Sequence, residues 1–348
     1  MGSDREADLQ ADSLWLRELS EALHDAEYAK LLAILASPAE SRSSIPPGMS
    51  HEEYARAIRA ATSFEGDSLL SRVFQAALQS LNSSDHTAAL PESVVVLFTA
   101  IPTVNGFCLR TPNSGTPAIV LNQGLPEYIA IAVHLFMGLT GWSDQEYCTH
   151  WTNDDRLDSL FRLSLGITDK RPALLLDVPA ADCLGSPEHK SNSHLHDAFC
   201  IVAEFFIIFH EIGHAALGHL DPDDVSLAFG PELGHAVPVF NRSQTDELSA
   251  DSFALTHLTK SLVEDGGLAK RDIAYGIGCL MVLMRTVEAV SPGWSSETHP
   301  SAVHRWSSIR KQIGDPNAPA AVDSVHYFFE WIRNYEAAAS ESSEGSSS

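Results

Sequence analysis

Basic residues are scarce in this sequence: 22 Lys and Arg stand against 46 Asp and Glu, a formal net charge of −24. Such a chain repels nucleic acid and anionic membrane, and no Lys/Arg cluster offsets the repulsion. The acidity reads as a solvated surface. Cysteine is scarce too. Cys108, Cys148, Cys183, Cys200 and Cys279 are scattered and odd in number. No C-x-x-C pair occurs, so neither a disulfide framework nor a thiolate metal site is indicated. The first residues, MGSDREADLQ, lack the basic start and apolar core of a signal peptide. Long uncharged apolar runs are also missing. One candidate stretch carries Glu204, His210, Glu211 and His214, and Asp272 and Arg285 flank the other, so no membrane span is expected. These absences lead to the expectation of a soluble, cytoplasmic protein. With 44% hydrophobic and 20% charged residues over 348 positions, the chain can bury a sizeable core in one or two domains.

The stretch His194–Leu220, HLHDAFCIVAEFFIIFHEIGHAALGHL, stands out against that background. From Ala198 to Phe209 it is almost entirely apolar, and polar atoms then arrive abruptly as His210, Glu211 and His214. This is H-E-x-x-H in a helical run. Positions i and i+4 share one helix face, so both imidazoles can bind one Zn²⁺ while Glu211 acts on a water beside it. Burying two imidazoles and a carboxylate is costly unless something satisfies them, and a metal does so. His219 follows His210 by nine residues, about 180° around an unbroken helix. In the longer pattern H-E-x-x-H-x-x-G-x-x-H, Leu217 stands where the glycine belongs and Leu220 where the histidine belongs. His219 therefore reads as a helix-end residue beside Gly218, its side chain pointing away from the metal-binding face.

Around this stretch the period is mostly helical. Helices are expected over Ser13–Ala36, from Ser50 to about Ala61 and over Leu69–Leu81, making residues 1–90 a helical N-terminal region. Val94–Ala100, Asn105–Arg110 and Ala118–Asn122 read as strands, the last two joined by the turn sequence TPNSGTP. A helix is expected over Glu127–Leu139, and Trp142–Ser193 is mixed and loop-rich. After the H-E-x-x-H helix, DPDD is expected to stop it, with a loop to about Arg242. Helices then follow over Gln244–Leu262, Leu268–Val290, Pro300–Ile313 and roughly Ala320–Tyr335. Residues 336–348 form a low-complexity tail expected to be disordered.

A zinc hydrolase needs three protein ligands and one open position. In TDELSADSFAL, Glu247 and Asp251 lie four apart on one helical face among apolar neighbours. Glu247 is the candidate third ligand, and Asp251 the acceptor that fixes a ligand histidine's tautomer. In THPSAVHRW, His299 precedes a proline at a helix start, where it can donate to an oxyanion; Arg305 can pair with the carboxylates.

Taken together, HEIGHAALGH, ELSADSFA and THPSAVHR resemble the successive motifs of the CAAX prenyl protease and HtpX-type zinc metalloendopeptidases, a gluzincin family. Its pattern is HExxH, then E-x-x-A-D-x-x-A, then H-P and an arginine. Here these are His210, Glu211 and His214; Glu247, Ala250, Asp251 and Ala254; and His299, Pro300 and Arg305. The segment VNGFCL…AIVLNQGL resembles the family's edge strand, with Gly106 in place of alanine. The resemblance covers roughly Val94–Ile313. It departs from the family in the insert at about 126–197 and in having no membrane span.

The resemblance implies an α+β, mostly helical, zincin-like metallopeptidase with an HExxH active-site helix and a small antiparallel β hairpin or sheet. The metallopeptidase domain would span residues 91–335. One Zn²⁺ per chain would be held by His210, His214 and Glu247, with Glu211 as general base and His299 as oxyanion donor. Asp251 and Arg305 would support the ligands. Asn105, Gly106 and Phe107 would hold an extended peptide or protein substrate by strand addition. Two other readings stand beside it: a metal-binding regulatory or scaffold protein without turnover, and a zinc hydrolase of a non-peptide bond.

Overall fold

The computed structural model describes residues 7, 8, 10–12, 14, 15, 95–99, 106–122, 124–139, 193–220, 225–227, 238–240, 243–290, 300–314, 324–334 and 337. Most of the expected N-terminal helices, the stretch 140–192, His299, Asn105 and nearly all of the tail lie outside the described residues.

Three strands form one sheet in the order β1-β3-β2: β1 (Val95–Thr99), β2 (Gly106–Arg110) and β3 (Pro117–Asn122). β1 runs parallel to β3, with Val95 opposite Ala118 and Thr99 opposite Asn122. β2 runs antiparallel to β3, with Gly106 opposite Leu121 and Arg110 opposite Pro117. The central position of β3 explains its composition. Ala118, Ile119, Val120 and Leu121 have no exposed surface, as expected of a strand covered on both faces. The turn between β2 and β3 closes through Thr111 N–H donating to Thr116 O (2.9 Å) and Gly115 N–H to Thr111 O (3.1 Å), with Gly115 at φ 67°. Asp12, from the helical residues near the N-terminus, is buried against this turn. Its carboxylate accepts from the backbone of Asn113 (3.0 Å) and Ser114 (2.9 Å) and from the Asn113 side chain (2.9 Å).

Helices make the rest. α1 (Gly124–Leu139), α2 (Ser193–Ala216), α3 (Gln244–Leu258), α4 (Lys270–Val290) and α5 (Ala302–Ile313) surround one core. α2 is the centre: α1, α3, α4 and β2 all pack on it. Its length and apolar composition would suffice to cross a membrane over His194–Ala216, but most of that stretch is buried within the protein. Close packing explains two glycines. A Cβ on Gly276 of α4 would stand 2.5 Å from Val202 of α2. One on Gly213 of α2 would meet Phe253 at 3.1 Å and the Ala250 backbone at 3.3 Å on α3. Gly213 and Ala250 thus let α2 and α3 approach closely.

Several boundaries differ from those read in the sequence. α1 begins at Gly124 and supplies core residues such as Tyr128 and Phe136, so the start of the expected insert belongs to the core. α2 stops at Ala216, ahead of DPDD, because Gly218 takes a left-handed conformation at φ 75°. The expected loop after it contains two short antiparallel strands, β4 (Val225–Leu227) and β5 (Pro238–Phe240), too short to leave a periodic signal. α3 passes at Thr259 into a π-helical stretch, Thr259–Asp265, which ends at Gly266. α5 begins after Ser301, whose hydroxyl accepts from His304 N–H. The last helical residues described are 324–334 and 337.

Candidate metal centre

α2 and α3 each present an i, i+4 pair to the other. On α2 the pair is His210 and His214; on α3 it is Glu247 and Asp251. α3 is started by a capping box, in which Ser243 and Asp246 satisfy each other's backbone N–H groups. That start fixes Glu247 in the first turn, where an acidic residue suits the helix dipole. All four side chains are buried, and so is Glu211.

His210 Nε2 and His214 Nε2 lie 3.1 Å apart. Glu247 spans the pair, with Oε2 3.3 Å from His210 Nε2 and Oε1 3.4 Å from His214 Nε2. A tetrahedral ion with bonds of about 2.0–2.2 Å separates its ligands by about 3.3–3.6 Å. The three observed separations lie at or just under that edge length. His210, His214 and Glu247 therefore make a set of donors that can hold a metal ion.

The outer contacts orient these donors. Asp251 Oδ1 lies 2.9 Å from His210 Nδ1, so the ring's other nitrogen is held by a carboxylate. Asp251 is in turn gripped by Arg305 of α5, whose Nε donates to Oδ2 at 2.8 Å and whose Nη2 donates to Oδ1. Arg305 Nη2 also lies 3.4 Å from His210 Nδ1. Burial opposes charge on His210, but its hydrogen bonds to Asp251 and Glu247 outweigh that and raise its pKa to about 9. Burial likewise pushes the Glu247 carboxyl up, while the facing imidazoles pull it well below the usual carboxylate range. Asp251 is held low in the same way: against burial stands the Arg305 charge, then His210. The pocket is built to keep two carboxylates ionised around positive charge.

The structure thus brings His210, Glu211, His214, Glu247, Asp251 and Arg305 together. It places β2, with Gly106 and Phe107, against α2. His299 and Asn105 lie outside the described residues. The reading of His219 is corrected: its ring does not point away, for its Nδ1 lies 3.1 Å from His214 Nδ1. The helix does not continue to residue 219. At Gly218 the chain reverses, and His219 N–H caps His214 O at 3.0 Å, bringing the side chain back beside His214. The glycine just past the last periodic residue was the signal for this turn.

Residues 176–323 match the family model of Peptidase U49, a span that contains α2, α3, α4 and α5. That match indicates a peptidase family and so supports a hydrolase. No curated protein and no solved structure matches the chain.

Proposed function

We propose that this protein is a zinc-dependent metalloendopeptidase with a zincin-like active site of the gluzincin kind. The observation that carries the reading is the convergence of His210, His214 and Glu247 at separations of 3.1–3.4 Å, with Glu211 buried next to the first histidine. The Peptidase U49 match over the same segment supports the reaction class.

His210, His214 and Glu247 would hold the zinc. Bound there, the metal would supply Lewis-acid polarisation of the carbonyl and would acidify water. Glu211 receives the proton of the attacking water as the new C–O bond forms. It then delivers that proton to the amine nitrogen as the C–N bond breaks. His299, before the buried Pro300 and α5, is the proposed donor to the oxyanion. β2 lies at the edge of its sheet among the described residues and packs on α2, which supports its holding an extended peptide by strand addition. Asn105, Gly106 and Phe107 are the proposed contacts. A scaffold protein without turnover has no use for a base at Glu211.

The test is paired substitution on the full chain with zinc measured by atomic emission. Glu211→Gln should keep one zinc per chain and cleave nothing, while Glu247→Ala should lose zinc and cleavage together. Cleavage mapping against a whole proteome, with Glu211→Gln as control, supplies the activity readout. A purified chain that takes up no added zinc, or equal zinc loss in both variants, overturns the proposal.

A further inference from the structure

We infer that His219 is a positioning residue for His214, fixing that ligand's tautomer and ring plane through an imidazole–imidazole hydrogen bond. The inference rests on the zinc reading above and extends it to a residue outside the H-E-x-x-H motif.

The two ligand histidines are supported in different ways. His210 leans on a carboxylate, Asp251, which Arg305 neutralises. His214 leans on another imidazole: its Nδ1 lies 3.1 Å from His219 Nδ1, the ring centroids are 5.2 Å apart and the planes are inclined by 66°. For His214 Nε2 to offer a lone pair to a cation, its proton must sit on Nδ1. Nδ1–H then donates to His219 Nδ1, which must accept. That leaves the His219 proton on Nε2, which faces Asp246 Oδ1 at 3.6 Å, longer than a hydrogen bond. Asp246 is itself pinned, its Oδ2 accepting from Ser243 N–H at 3.0 Å and from Ser243 Oγ at 2.8 Å. The contact between His214 Nδ1 and His219 Nδ1 therefore sets both tautomers, with Asp246 close by but beyond hydrogen-bond range.

The backbone enforces the same arrangement. The bond from His219 N–H to His214 O and the left-handed Gly218 form a Schellman-type end to α2. The chain reversal that finishes the helix thus delivers the ring to the ligand. His219 is nearly buried, with 11% of its side chain exposed, so water competes weakly for His214 Nδ1. A neutral acceptor makes His214 a less electron-rich ligand than His210, which is backed by a carboxylate.

The experiment measures zinc affinity of the full chain by competition with a chromophoric chelator, alongside cobalt(II) absorption and the unfolding midpoint of the metal-free protein. His219→Ala should weaken zinc binding by about 10–100-fold, the usual effect of losing an outer-shell partner. It should also alter the cobalt d–d bands while leaving the metal-free midpoint near wild type. His219→Gln, whose amide oxygen accepts the same proton, should restore affinity to within several-fold. His219→Phe fills the space without an acceptor and should behave as Ala does, and it replaces Ala if truncation frays the helix end. Unchanged affinity and cobalt spectrum in His219→Ala overturn this inference alone. So does equal weakening in the Gln and Phe variants, which would mean that only the fold is at stake. A wild-type chain that binds no zinc overturns the metallopeptidase proposal itself.

Discussion

Arg305→Met probes the ion pair behind the metal-binding face, and its cost follows from burial. Arg305 is 8% exposed and Asp251 is fully buried, and two donors of one guanidinium reach both oxygens of one carboxylate. At an effective dielectric constant of about 20, unit charges about 4 Å apart attract by about 4 kcal/mol. Removing one partner of a buried pair costs about 3–5 kcal/mol, and His210, 2.9 Å from Asp251, sets the loss toward the lower end of that range. Methionine keeps much of the stem's volume, so packing contributes little to the difference. Urea unfolding with metal chelated should therefore show Arg305→Met less stable than wild type by about 3–5 kcal/mol. Asp251→Asn should also destabilise, by less, since Glu247 and Glu211 still act on the arginine. The double variant strands neither charge and should lose well under the sum, with a coupling energy of about 2 kcal/mol or more. A single-variant cost below about 1 kcal/mol, the value of an exposed pair, would refute the reasoning. So would additivity of the two substitutions.

Two further outcomes are expected. Glu204 is buried in α2, and burial raises its pKa from 4.5 to about 7. Between those values the unfolded chain ionises first, so this group removes stability as pH rises from about 4.5 to 7, by up to about 3 kcal/mol, and adds no further loss above. The difference in urea stability between wild type and Glu204→Gln, followed from pH 5 to 8, should grow in favour of the variant; a flat difference would show that the carboxyl does not titrate there. His299→Ala should retain zinc and lose about 10²–10³-fold in turnover number with substrate binding nearly unchanged. Steady-state kinetics with an identified substrate checks it, and full turnover would remove His299 from the mechanism.

Much of the site was legible because its geometry is local. His210 with His214 and Glu247 with Asp251 are four-residue spacings, and any α-helix puts such pairs on one face. Their apolar surroundings announced burial, and buried polar groups need partners. Arg305 was readable as a partner for the carboxylates only together with the order of the three motifs, and the strands β2 and β3 by their composition and intervening turn. Sequence did not determine which face of α3 meets α2, nor how closely. That depends on Gly213 and Ala250 allowing two backbones to approach, a matter of side-chain volume across some forty residues of chain. Nor did it determine the place of His219. Extending a helix by rotation per residue sends that ring to the far side; one left-handed dihedral at Gly218 sends it back to His214. Asp12 belongs to the same class. Its carboxylate serves backbone N–H groups about a hundred residues away, and periodicity carries no information over that distance. Helical spacing decided which side chains can share a face, while backbone reversal and close approach, set only when the helices pack, decided what holds them in place.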